Sequence, residues 1–549
     1  MTAHAPLPGP VLPVVDTPAP PDAPGTPRSD TADRLRDAFL THAFTVDGLR
    51  ELLGGPAFGA LGRGETVPAL RATRDGGPLA TLVRLFLLQR PVPSRQAEAA
   101  LPLAEALRDR WLLPAGDDRV RASVDVRPYA GPTGRHWWIV SDLGCAVAGA
   151  GGAARQHPAA ADQPPADPGD PAADPRAGLV LGVGGASATL AGLTVRTPVR
   201  TALDLGTGCG IQALHATRHA ERVTATDVNP RALRITALSH ALSGERRPEL
   251  RQGSLYEPLG EDERYDLIVS NPPFVITPGP SHGTGGDRPR LLYREGGMRG
   301  DALCRTLVRQ AATHLAEGGY CQLLANWQHV TGEDWRERVA SWVPEGCDAW
   351  IVQREVQDVT EYAELWLRDA GAHRGDLAAY EAAYEAYLAE FAAQRTEAVG
   401  FGWITLRRTD ADQPSVTVEE WSHPVEQPLG VTVAAHFARQ DYLRRTDDAT
   451  LLATRFLLDD AVVQEQIGPP GAEDPEHVVL RQGRGMRRAT AVDSVAAGLA
   501  GVCDGSLPAG RVLDAIAQLL GEDPVALRAR MPEVIRQLVR DGFLAPVEG

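Results

Sequence analysis

The chain has 549 residues, 43% of them hydrophobic, and a formal net charge of −16; all 55 basic residues are arginine. The lack of lysine excludes Schiff-base chemistry, lysine nucleophiles and P-loops, and the acidic total counts against nonspecific binding to nucleic acid. A chain of this length predicts about two to four domains. Residues 1–30, rich in Pro and Ala, read as a disordered N-terminus. Residues 31–147 read as a helical, winged-helix-like domain. In it Leu35, Phe39, Leu49, Leu52 and Leu53 predict short amphipathic helices, Leu79–Leu88 a helix stopped by Pro91, and Ala100–Leu107 another helical piece. Val120, Ala122, Val124 and Val126 alternate with polar residues as one half-buried strand, with Trp137–Val140 as its partner. Residues 148–178 read as a linker of Ala, Gly, Pro and Asp.

Residues 179–408 carry the chemistry. Leu179–Val183 and Thr189–Val195 read as a hairpin over a ligand site, turning at Gly184-Gly185-Ala186-Ser187. Thr201–Leu205 is an apolar strand that runs into Asp204-Leu205-Gly206-Thr207-Gly208-Cys209-Gly210. A helix over Ile211–His219 and a strand Val223–Thr226 ending in Asp227 complete a βαβ unit. Glycines at such a turn let a ligand approach the backbone. An acid at the end of the second strand, about twenty residues on, suits ribose hydroxyls. The pattern is close to a dinucleotide fingerprint, but Asp204 inside the turn repels a pyrophosphate and attracts a cationic amino-acid group such as that of S-adenosylmethionine (SAM). A further strand, Tyr265–Val269, ends in Ser270-Asn271-Pro272-Pro273-Phe274. The Pro pair forces the chain out of the sheet. There the Asn271 oxygen and the Pro272 carbonyl can accept both hydrogens of a planar –NH2 while Phe274 stacks on its π-system.

This stretch resembles the SAM-dependent N-methyltransferases of the HemK-like, "small methyltransferase" group. Its members methylate the glutamine amide of release factors, and relatives with Asn-Pro-Pro-Phe or Asn-Pro-Pro-Tyr methylate exocyclic amines of RNA or DNA bases. The resemblance implies an α/β fold: a Rossmann-like, seven-stranded class I methyltransferase core, flanked here by helical or winged-helix-like N- and C-terminal domains. It implies SAM as cofactor, with Gly206, Gly208 and Gly210 giving backbone access, Asp204 near the amino end and Asp227 on the ribose. It implies catalytic roles for Asn271, Pro272, Pro273 and Phe274, and no metal. The group usually shows Gly-Asp before Leu-Phe-Glu-Pro-Leu; this chain has Gly253-Ser254-Leu255-Tyr256-Glu257-Pro258-Leu259, which leaves Ser254 as a weaker partner for the adenine amine. The acceptor stays open between a release-factor-like protein and a base, chiefly in RNA. The runner-up is a SAM-responsive nucleic-acid-binding protein without turnover.

Downstream, the Pro/Gly-rich loop Thr277–Arg290 with Arg294 and Glu295 reads either as a substrate clamp or as a loop in which those two residues pair with each other. Cys304–His314 is a helix, and Gly319–Ala325, Trp350–Gln353 and Trp403–Leu406 are the last strands. Tyr380, Tyr384, Tyr387 and Phe391 recur on one helix face as a packing stripe. Residues 416–549 read as an accessory domain. It holds two amphipathic helices, one carrying Val512, Ile516, Leu519 and Leu520 and the other Val534, Ile535, Leu538 and Val539. A wing-like stop follows at Asp541-Gly542-Phe543-Leu544, and Arg481–Arg488 makes a solvated basic face. Six cysteines without C-x-x-C spacing, no signal sequence and no membrane-spanning run describe a cytoplasmic protein with buried, reduced thiols.

Overall fold

The computed structural model describes residues 29–143, 178–278, 297–470 and 476–547. The expectations for residues 1–28, for the linker before residue 178, and for Arg294, Glu295 and most of their loop lie outside them. The chain forms two compact units, one made of residues up to Ala191 with Thr197–Glu420, the other of Gly192–Arg196 with Trp421 onward.

The first unit opens with helices Ser29–Thr41 and Val46–Gly62. Thr45 caps the second by accepting from the Gly48 N–H. The expected helix over Leu79–Leu88 is α-helical at Pro78–Leu82 and changes to a π-turn at Val83–Leu87. Strand Val92–Pro93, helices Ser94–Ala100 and Leu103–Arg108, and hairpin strands Leu112–Pro114 and Arg119–Ala122 follow. Arg119–Ala122 lies in the middle of that three-stranded sheet, the order of a winged helix. The single strand expected over Val120–Val126 is two strands. The chain bends at Ser123, whose N–H bonds the Trp111 carbonyl, and Asp125–Ala130 then pairs with His136–Ser141. That last strand meets helix Pro230–Ser243, where the N–H groups of Trp138 and Val140 donate to Ser243 Oγ and Ser239 Oγ at 3.0 Å. Phe39, Phe86 and Trp138 continue into Ile211, Leu214 and Leu238 as one core. The N-terminal helices are therefore welded to the layer that carries the large sheet.

That sheet comprises β1 (Val199–Leu205), β2 (Ala220–Asp227), β3 (Glu249–Gln252), β4 (Tyr265–Ser270), β5 (Leu315–Val330), β6 (Cys347–Asp358), β7 (Thr396–Arg408) and β8 (Val416–Glu420). The spatial order is β3-β2-β1-β4-β5-β7-β6-β8. β7 runs antiparallel to both neighbours and the other pairs are parallel. The seven-stranded core is present, and β8 adds an edge strand, so this unit extends to Glu420 and not to 408. Between β6 and β7 the chain inserts helices Val359–Asp369 and Leu377–Ala393. The aromatic stripe packs there: Tyr387 and Phe391 are buried with Tyr362, and Tyr380 and Tyr384 are half-buried beside them.

The second unit has its own core of Phe456, Leu499, Leu513, Leu527, Ile535 and Phe543. Strand Arg455–Leu458 lies between Asp504–Pro508 and Leu544–Pro546, and helices Ala509–Leu520 and Pro524–Asp541 pack beside this sheet. Val512 is buried as expected, but Leu519 is 85% exposed and Leu520 53%, so the last turn of that helix leaves the core. Arg481 pairs with Glu465, Arg484 with Asp460, and Arg488 lies over the Trp421 ring. Cys209, Cys304, Cys321, Cys347 and Cys503 are free and buried; burial pushes the first three thiols up to about 12. Cys145 lies outside the described residues. Among the described residues no His, Cys, Asp and Glu group could hold a metal, and no helix is long and apolar enough to cross a membrane.

Candidate active site

The site follows from strand register. β1 lies between β2 and β4, with Leu205 opposite Thr226 on one side and Ser270 on the other. One residue beyond that row stand Gly206, Asp227 and Asn271. The proposed ribose acid and acceptor asparagine therefore flank the glycine turn, two strand spacings or about 10 Å apart. This is the switch point of the sheet, where connections depart in opposite directions and ligands of open α/β folds bind.

The turn is built from within. Asp204 is 1% exposed, and its Oδ2 accepts from Thr207 Oγ1 at 2.7 Å and from the Ala213 N–H at 2.9 Å. The carboxylate thus braces the turn from below, and burial pushes it up to about 7. Asp227 accepts from the Gly208 N–H through Oδ2 at 3.0 Å and from the Asn229 N–H through Oδ1 at 2.9 Å. Burial raises its carboxyl above the ordinary range. The Gly253 N–H bonds the Asp227 carbonyl, which brings Ser254 beside the same strand end. Val228, next to Asp227, is 45% exposed.

On the acceptor side, Ser270 Oγ donates to the Leu205 carbonyl at 2.8 Å, and the chain turns at Pro272 and Pro273. The Pro272 carbonyl accepts from the Phe274 N–H at 2.8 Å, leaving its second lone pair for another donor. Phe274 is half-buried against the core that includes Leu205 and Tyr256. Asn271 Nδ2 donates to Ser187 Oγ at 3.3 Å. The structure places Ser187 on a helix, Gly185–Leu193, where the sequence suggests a hairpin. Residues 178–187 form a strap: Gly178 accepts from Asn229 Nδ2 at one end, and Ser187 meets Asn271 at the other.

Ser187, Gln212 and Tyr362 are additions that the motif does not announce. Gln212 Nε2 donates to the Ser187 carbonyl at 2.8 Å. Tyr362 is fully buried; its hydroxyl accepts from the Ile276 N–H at 2.8 Å and from Asn326 Nδ2 at 3.2 Å, fixing the exit of the acceptor turn. Tyr362→Phe leaves the buried Ile276 N–H without that acceptor and is expected to cost about 1–3 kcal/mol of stability, read as a lower urea midpoint. An unchanged midpoint would show that the hydroxyl holds nothing. Gln212 adjoins the glycine turn, but nothing in its own sequence context points to Ser187; Tyr362 lies in a distant insertion.

The family "Methyltransferase small domain" matches residues 184–280. Residues 41–123 and 434–546 match DUF7059 and DUF7782, each described as a domain of unknown function. A ribosomal protein uL3 glutamine methyltransferase of Bradyrhizobium diazoefficiens is 33% identical over 170 residues, 29% of this chain and 53% of the relative. A release factor glutamine methyltransferase of Xylella fastidiosa is 41% identical over 133 residues, 23% of this chain and 47% of the relative. A tRNA1(Val) (adenine(37)-N6)-methyltransferase of a Flavobacteriaceae bacterium is 29% identical over 151 residues, 26% of this chain and 60% of the relative. The chain spans about half the length of the first two of these relatives. The β3-β2-β1-β4-β5-β7-β6 order, the glycine turn and the Asn-Pro-Pro-Phe exit coincide with the match to the methyltransferase small domain at residues 184–280, where the chain is similar to these glutamine and adenine N-methyltransferases.

Proposed function

We propose that this chain is a SAM-dependent N-methyltransferase acting on a planar –NH2, with a glutamine amide in a cationic protein segment as acceptor. The observation that carries the reading is the common row of Gly206, Asp227 and Asn271 across three parallel strands. The site suits SAM. A Cβ at Gly206 or Gly208 would project into open space with no atom within 4 Å, as the wall of a cradle requires. Asp227 and Ser254 would hold the ribose and adenine, and Asp204 would supply charge near the amino end. When bound, SAM supplies an activated methyl group on a sulfonium.

The chain's own task is positioning. The Asn271 oxygen and the Pro272 carbonyl accept the two N–H bonds of the acceptor, hold its nitrogen and favour the charge that builds there as the bond forms. Phe274 offers a flat apolar face to the amide plane. The protein acceptor is favoured by charge. The insertion at residues 359–393, joined to the acceptor turn through Tyr362, has seven carboxylates and two arginines, with Glu361, Asp369, Asp376, Glu381 and Glu385 exposed. Such a face repels a phosphate backbone and attracts a basic polypeptide.

The test is transfer of label from methyl-labelled SAM into a high-GC bacterial extract, split between protease and ribonuclease. Label removed by protease supports this reading; label removed by ribonuclease moves the acceptor to RNA. Binding carries its own pH signature. The raised Asp204 value means that the neutral acid stabilises the ligand-free fold fully below its ordinary 3.8, and that this contribution is lost as pH rises through about 7. A cation nearby favours the ionised form. SAM affinity is therefore expected to climb with pH below 7, by up to ~10-fold per unit, and to level off above it. Asp204→Asn should flatten that profile; an unchanged slope would remove Asp204 as its source.

A further inference from the structure

We propose that Ser187 is a positioning residue for methyl transfer, holding the Asn271 amide with its nitrogen turned aside and its oxygen toward the acceptor. The inference rests on the N-methyltransferase reading above. Asn271 leaves the sheet one residue past the last paired row, and Pro272 and Pro273 follow it. The Asn terminal torsion is broad and roughly two-fold, so an unrestrained amide presents oxygen or nitrogen alike. Only the oxygen accepts a hydrogen bond from the acceptor nitrogen; the flipped amide sets N–H against N–H.

Asn271 Nδ2 donates to Ser187 Oγ at 3.3 Å, which ties down that edge of the amide and leaves the other edge, the oxygen, for the acceptor. Ser187 is itself fixed, because its carbonyl accepts from Gln212 Nε2 at 2.8 Å. Gln212 is 5% exposed and lies two residues past Gly210, on the helix that leaves the glycine turn. Gln212, Ser187 and Asn271 thus form a chain from the cofactor turn to the acceptor turn across three separate segments. Disturbing either of the first two should change the rate of transfer and leave the hold on SAM alone.

The test uses the full chain, single-turnover label transfer from methyl-labelled SAM into bacterial extract, and SAM affinity by calorimetry. Ser187→Ala is expected to slow transfer about 5- to 20-fold with SAM affinity within about twofold, and Ser187→Thr, which keeps the hydroxyl, to recover most of the rate. Gln212→Leu should act in the same direction by a smaller factor. In an Asn271→Ala background Ser187→Ala should add no further loss, since the two act through one amide. A full additional loss there, or a parallel loss of SAM affinity, would overturn the assignment by placing Ser187 in the cofactor site or the fold. Unchanged transfer by Ser187→Ala, with Asn271→Ala inactive, overturns the Ser187 role alone. A wild-type protein that transfers no label overturns the methyltransferase reading and the Ser187 role together.

Discussion

Asn271→Ala is expected to slow methyl transfer by about 10²- to 10³-fold while SAM affinity stays within about twofold. The fall is the effect of removing one preorganised hydrogen-bond partner from a reacting centre, about 2.7–4 kcal/mol of transition-state stabilisation. Asn271 is half-buried and lies outside the β1–β4 pairing, so truncation should leave the sheet intact. The Asp227 side of the glycine turn is a different strand end, tied by its own bonds to Gly208 and Asn229, and does not depend on Asn271. Asn271→Asp keeps oxygen acceptors at the same place and should retain more activity than the alanine variant. Single-turnover label transfer and calorimetry separate the two effects. Equal loss of binding and turnover would mean that Asn271 serves the cofactor and not the acceptor.

The parts of this site that are legible in the sequence are those written locally. A glycine turn, an acid at the next strand end and a Pro pair after an asparagine each fix their own backbone, and the parallel register aligns them. What is illegible depends on distant partners. Strand β5 is expected over Gly319–Ala325 but runs from Leu315 to Val330. Asn326 and Gln328 lie past the expected end, yet both are buried by pairing with β7 and by side-chain bonds to Tyr362, Gln394 and Thr396. The helix at Gly185–Leu193 is hidden by its glycines, which favour a turn in isolation; here Leu190 and Leu193 are fully buried and packing overrides propensity. Val416–Glu420 reads as the start of an accessory domain because its sheet neighbour among the described residues, β6, lies some seventy residues earlier and leaves no local mark.

Gly210→Ala and Gly208→Ala should fail in opposite ways, although they stand two residues apart in one motif. Gly210 has φ +84°, and a Cβ there would lie 2.8 Å from Thr236 Cγ2 and 3.1 Å from the Thr236 Cα. Thr236 is fully buried on helix Pro230–Ser243, whose backbone cannot yield. Left-handed strain of about 1–2 kcal/mol and overpacking of about 1–3 kcal/mol together predict a loss of roughly 2–5 kcal/mol. At about 2–4 °C per kcal/mol for a domain of this size, the melting temperature should fall by roughly 4–20 °C. Thr236→Ala in the same chain removes the clashing methyl and hydroxyl groups but leaves the helix backbone in the way, so it should restore part of that loss. Gly208 has φ +56° and nothing within 4 Å of its Cβ, so alanine there meets only the conformational strain, about 1–2 kcal/mol. Its methyl group instead occupies the open side of the turn, where a ligand must approach the backbone. SAM affinity should then fall at least ~10-fold with a melting shift well below that of Gly210→Ala. Melting curves and calorimetry on both variants decide the matter. If Gly208→Ala binds SAM as the wild type does, the open face of the turn is not where the cofactor lies.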